Sequence, residues 1–208
     1  MSSGSGQGGT QVGARGGDGD LPEAFSRAVQ TLRAVHLRPE IDLQESPAPQ
    51  RLAPFAVALT ADVGVGDEDL GTGRFVVLHD PAGHETWQGT FRLVTFVRAT
   101  VEPEVASDPL ATSVAWSWLV EALDGRQVGY IAESGTVTRV VSEPFGTMAD
   151  REPSAELEIR ASWTSLDSRL GPHLEAWGDL LATVCGLPPL VSGVVAALPQ
   201  RGASRRSR

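Results

Sequence analysis

The most constraining feature of the sequence is a strict alternation: Leu157, Ile159, Ala161 and Trp163 are apolar, and the residues interleaved with them, Glu156, Glu158, Arg160 and Ser162, are polar. Successive side chains of a strand point to opposite faces, so this pattern predicts a sheet with one face on a core and the other in water. A parallel strand, covered on both faces, reads instead as a continuous apolar run. Strand-length stretches at 55–63, 73–79, 87–101 and 130–143 come in adjacent groups, which favours hairpin connections and antiparallel pairing. Ile41 and Leu43, alternating with charges in a proline-rich stretch, leave open either a short edge strand or a segment lying over the core.

Helical spacing fills the gaps. Phe25, Ala28, Val29 and Leu32 define a first helix over 21–36, with Asp20 and Pro22 at its start. Asp108-Pro109 opens a second over 110–123, closed by Asp124-Gly125, and Gly171-Pro172 opens a third whose stripe is Leu174, Trp177, Leu181, Val184 and Cys185. Asp80-Pro81-Ala82-Gly83 supplies hairpin-turn chemistry. The order α-β-β-β-α-β-β-α predicts a two-layer α+β fold. Its mainly antiparallel sheet has five to six strands and carries helices on one face.

Composition divides the chain. Residues 1–20 hold eight glycines before position 20 and read as a disordered Gly/Ser-rich leader; 21–190 read as a single α+β domain; 191–208 read as a short apolar turn and an arginine-rich tail. Lysine and asparagine are absent, as codon supply in a GC-rich genome produces. The formal net charge is -9, and 12 arginines face 24 acids once 1–20 and 199–208 are set aside. A body so acidic repels phosphate, which disfavours nucleic-acid binding by the folded part and leaves the arginine-rich tail as the one route to it. Cys185 is the only cysteine, so no internal disulfide and no multi-cysteine zinc site can form, and a reducing cytoplasm is expected. The uncharged stretch 180–200 has the length of a membrane span, but Gly186, Pro188 and Pro189 interrupt it, so no membrane association is expected.

Candidate sites are few. His79, Asp80, His84 and Glu85 flank one turn and include metal-ligand types, yet solvated turn residues explain them as well, and their removal is expected to leave stability nearly unchanged. Ser134-Gly135 lacks the flanking glycines of a nucleophile elbow, and Gly64, Gly66, Gly71 and Gly73 lack the lysine and helix of a phosphate loop. Cys185 and His173 lie about 18 Å apart on one helix, too far to act as a pair. Arg92, Arg98, Arg139, Arg160, Glu143 and Glu158 lie on strands, where a solvated ladder or an anion or peptide groove would use them. Trp116 and Trp118 point about 200° apart on the second helix, so one core cannot take both; flanking helices or the proline-rich segment cover the second, or a partner interface uses it, and Trp116, Trp118, Arg139 and Arg160 are the candidate interaction residues.

The strings GRFVVLHDPAGHETWQGTFRLVTFVRATVEPE (73–104), EIRASWT (158–164) and HLEAWGDLLATVCGLPPL (173–190) resemble the actinobacterial domain of unknown function 3000 family, over about residues 21–190. That resemblance implies a bacterial cytosolic setting and carries no catalytic assignment. The element order is also similar to that of the type III secretion chaperone-like fold, including the YbjN group, which implies a sheet that pairs with a copy of itself. The expectation is a non-catalytic cytosolic binding or regulatory module without a cofactor, its partner a protein or a second copy of the chain. The alternatives are an enzyme centred on the His79, Asp80, His84 and Glu85 hairpin, or a nucleic-acid accessory acting through the tail.

Overall fold

A computed structural model describes residues 21–190. Its elements are α1 (Glu23–Arg33), β1 (Ile41–Ser46), β2 (Phe55–Val65), β3 (Glu68–His84), β4 (Gly89–Val101), α2 (Pro103–Ser107), α3 (Ala111–Gly125), β5 (Tyr130–Ser142), β6 (Ser154–Ser165) and α4 (Gly171–Val184). The six strands form one sheet in the order β1-β2-β3-β4-β6-β5, every neighbouring pair antiparallel.

The α+β class and the antiparallel sheet are as the alternation implies. Leu157, Ile159, Ala161 and Trp163 are all buried on the helix-covered face of β6, while Arg160 is exposed on the other. Ile41 and Leu43 belong to an edge strand paired with β2, which raises the count to six. The short helix α2 has no counterpart in the expected order; Pro103 ends β4 by withholding an N–H and suits a first helical turn.

The turn after β3 differs from expectation. Asp80-Pro81-Ala82-Gly83 does not reverse the chain: it interrupts pairing between His79 and His84, with Gly83 at φ 78° and the Asp80 carboxylate accepting the Ala82 N–H at 3.0 Å. Pro81 cannot donate to the ladder, so the interruption falls there. Reversal comes at Glu85–Trp87 and Gln88, the latter at φ 59°, and β4 starts at Gly89 rather than at Trp87. The Asp108 carboxylate accepts the Leu110 N–H at 2.8 Å just ahead of α3. At α1 no side chain caps the start, and Asp20 lies outside the described residues.

Helix α4 lies across the centre of the sheet because β3 offers it glycine. A Cβ on Gly73 would come within 2.6 Å of Trp177, and one on Gly71 within 2.8 Å of the Cys185 sulfur. Two of the four glycines that invite a phosphate-loop reading are therefore strand positions cleared for a helix. Burial pushes the Cys185 thiol up to about 11, so it stays protonated and acts as a small apolar group. Helix α1 closes over the end of α4: Thr31 Oγ1 accepts the N–H groups of Leu170 and Gly171 at 3.0 and 3.2 Å, satisfying donors at the α4 start that have no partner within the helix. No described helix is long and apolar enough to cross a membrane. The leader, the tail and the part of the uncharged stretch after Leu190 lie outside the described residues.

Candidate functional site

Helices cover one face of the sheet, and the two halves of the other face meet different fates. Over β2 and β3 the outward residues Ala56, Ala58, Val76 and Leu78 are buried under Ala48, Ala53 and Trp87, so the proline-rich connection between β1 and β2 straps that half. Arg74 fastens the strap by donating to the Pro47 carbonyl at 2.7 Å. A cleft of about 660 Å³ is lined mostly by residues of the strap, among them Pro47 and Arg51, with Glu45 at the end of β1.

Over β4, β6 and β5 no strap of this kind lies among the described residues, and only the end at Arg92 and Thr164 is buried. Cross-strand register places Ser134, Ser162 and Val94 in one row, Thr136, Arg160 and Phe96 in the next, and Thr138, Glu158 and Arg98 in a third. Val94 is exposed and Phe96 half-buried. The Arg160 guanidinium lies 5.3 Å from the Phe96 ring centroid and also donates to Glu158 at 2.6 Å, so an aromatic face, a cation and a carboxylate share one patch. Arg98 grips Glu156 through two nitrogens, Nε at 3.0 Å and Nη2 at 2.5 Å.

At one end of this half sits Arg92, only 9% exposed. Its guanidinium donates to the Ala132 carbonyl at 2.8 Å, Thr164 Oγ1 at 3.1 Å, Ser134 Oγ at 3.1 Å and Ser162 Oγ at 2.6 Å. Burial lowers its proton affinity and no neighbouring charge raises it. Ala132 reaches Arg92 from an irregularity in β5 between Ile131 and Ser134, where its φ is 55°.

The residues singled out from sequence fall in four places. Arg160 belongs to the open face as expected. Arg139 does not: it pairs with Leu157, on the helix-covered face, and donates to the carbonyls of Ala106 and Asp108, tying β5 to the end of α2. Trp116 and Trp118 are both half-buried and packed against the core. Trp116 lies over Gly135, where a Cβ would come within 2.8 Å of its ring, and Trp118 borders a shallow cleft of about 310 Å³ with Val105, Val114 and Leu157.

The hairpin cluster disperses. His79 continues the inward register of Phe75 and Val77 and is 2% exposed, its ring stacked 4.1 Å from Phe91 and near Phe25 and Phe55. Its Nδ1 lies 3.0 Å from the Thr90 carbonyl, Nε2 has no partner, and burial lowers its pKa. His84 is exposed and stacks on Trp87 at 4.6 Å; Asp80 is half-buried and Glu85 exposed. Among the described residues no three His, Cys, Asp or Glu side chains gather to hold a metal ion. The turn-residue reading therefore fails for His79, which is a core residue. His173 is a second core histidine: Trp163 Nε1 donates to its Nδ1 at 3.1 Å, leaving Nε2–H to donate to Ser165 Oγ at 3.0 Å. Sequence reasoning missed Phe96 and the convergence on Arg92, although the alternation of Arg92, Val94, Phe96 and Arg98 marked one face.

Fold and site together define an α+β protein with an antiparallel sheet strapped over half of one face. A family model described as a protein of unknown function (DUF3000) matches residues 21–195, and the chain belongs to that family. No curated protein and no solved structure matches it in the corresponding comparisons, so the similarity to the type III secretion chaperone-like fold rests on element order alone.

Proposed function

We propose that the chain is a non-catalytic cytosolic binding module that holds a protein segment along the open half of its sheet. The observation that carries this is the contrast within one face. The chain straps its own Ala56, Ala58, Val76 and Leu78, yet among the described residues no strap covers exposed Val94 or the stack of half-buried Phe96 with exposed Arg160. Aromatic and arginine side chains side by side are the residue types that concentrate binding energy at interfaces. The cytosolic setting is supported by the single, buried, protonated Cys185. An enzymatic centre at the hairpin has less support, because the His79 ring is enclosed by phenylalanines while His84 and Glu85 face solvent. A nucleic-acid role through the tail falls outside the described residues.

The test is selection of peptides from a displayed library on the purified protein, followed by hydrogen exchange of the complex. Bound peptides are expected to protect amides of β4, β6 and β5 and to lose affinity by about tenfold or more for Phe96→Ala and Arg160→Glu. Peptides that protect only the helix side, or bind both variants unchanged, would overturn the reading.

A second copy of the chain is the other occupant with a specific observation behind it. Strand β5 is an edge of thirteen residues with Val140 and Val141 exposed, and such an edge is a template for further pairing. Sedimentation at several concentrations decides this: a monomer throughout removes the self-pairing reading.

A further inference from the structure

We infer that Arg92, with Ser134 and Ser162, forms an oxyanion-binding site on the open face, for a carboxylate or a phosphate. This site is independent of peptide binding by the Phe96–Arg160 patch and stands or falls separately.

Three observations converge on it. First, a guanidinium is always charged, and this one is buried with all four of its hydrogen bonds going to neutral oxygens. A charge taken from water without a counter-charge is unfavourable; Arg27, Arg38, Arg98, Arg126, Arg160 and Arg169 pair with carboxylates, and Arg74 and Arg139, which donate to backbone carbonyls, are less buried than Arg92. Among the described residues no carboxylate forms an ion pair with Arg92, whose hydrogen-bond partners are Ala132, Thr164, Ser134 and Ser162.

Second, the hydroxyls are left with a proton to give. Ser134 and Ser162 both accept from Arg92, so their own O–H bonds point away from it. They lie 3.4 Å apart, and a bond between them uses one of the two protons. At least one is free for an acceptor arriving from solvent, on the side where Ser134 is exposed. Thr164 is not available for this, because its hydroxyl donates to the Trp87 carbonyl at 2.6 Å. An arriving oxyanion thus accepts a serine hydroxyl polarised by the cation directly beneath, with no rearrangement of Arg92.

Third, the backbone is strained at this spot. Ala132 has a left-handed φ of 55°, unfavourable for a residue with a Cβ, and its carbonyl is turned onto Arg92. The hydrogen bond to that carbonyl ties the guanidinium to β5.

The test is titration of the isotope-labelled protein with sodium acetate, inorganic phosphate and, as control, sodium chloride at matched ionic strength, followed by nuclear magnetic resonance. Saturable shifts confined to Arg92, Ser134, Ser162 and their strand neighbours are expected with acetate or phosphate and not with chloride; whichever saturates at lower concentration names the ligand class. The Ser134→Ala/Ser162→Ala double variant, which removes exposed and half-buried hydroxyls and keeps the cation, is expected to fold normally and to bind about tenfold more weakly. Arg92→Gln should abolish binding, and if it does not fold the serine variant decides. Shifts that fail to saturate, match those with chloride, or persist unchanged in the double variant would overturn the assignment.

Discussion

The two faces of the sheet treat buried polar groups in opposite ways. On the helix-covered face, His173 is neutral, with each ring nitrogen engaged by a side chain, Trp163 on one side and Ser165 on the other. On the open face, Arg92 is buried as a full charge among hydroxyls and a carbonyl. A core tolerates polarity when it is neutral, fully paired as at His173 or with one nitrogen unpartnered as at His79, whereas a charge persists where water can still reach its surroundings. The contrast places the neutral buried histidine on one face and the buried charge on the other.

That division breaks most readily at Trp163. Trp163→Ala removes one of the two largest side chains of the core and leaves His173 Nδ1 without its donor, so urea unfolding should show a loss of about 4 kcal/mol. A loss under about 1 kcal/mol would show that the helix face is not where stability resides.

Acid should act through the same face. Burial pushes the His173 pKa down to about 4, with the Asp167 charge opposing. The unfolded chain takes up this proton near pH 6.5 and the folded chain only near 4, so between those values the unfolded state binds more protons. Stability is therefore full above about pH 6.5 and falls as the pH drops to about 4, by about 3 kcal/mol from this group. His79, also shifted down by burial, adds to the loss in the same direction. The urea midpoint followed across this window should slope in the wild type and flatten partly in His173→Gln; identical slopes would remove His173 from the account.

The two hairpin histidines sharpen the comparison further. His79→Ala should cost about 2 kcal/mol, because it opens a space among Phe25, Phe55 and Phe91, while His84→Ala changes stability by less than about 0.5 kcal/mol. Equal effects in thermal unfolding would contradict the placement of His79 in the core. Smallest of all, Val94→Thr on the open face should alter stability by under about 0.5 kcal/mol, and a larger loss would mean that this half is covered after all.

Much of the fold is readable because it depends on period alone. Leu157 through Trp163 alternate without exception, and helix starts and stops carry proline, aspartate and glycine in the places backbone chemistry requires. His79 illustrates what period could have added: it extends Phe75 and Val77 inward, but the adjacent Asp80-Pro81 reads as a turn and draws attention away from the register. Arg92 is different in kind. Its partner Thr164 is 72 positions away, and only the pairing of β4 with β6 brings them together. The strap over β2 and β3 is hidden for the same reason, since a proline-rich connection has no periodicity to announce which surface it crosses.

The hydrogen bonds from Thr31 to the start of α4 join residues 139 and 140 positions apart. Ribosomes deliver the chain from its N-terminal side, so α1 emerges while its capping partner is still unsynthesised. Until α4 arrives, the glycine track on β3 and part of the apolar stripe of α1 have no cover. Assembly of the domain consequently waits on the last described helix, and a nascent chain halted before Gly171 would present sticky surface to the cell's holdase and protease machinery.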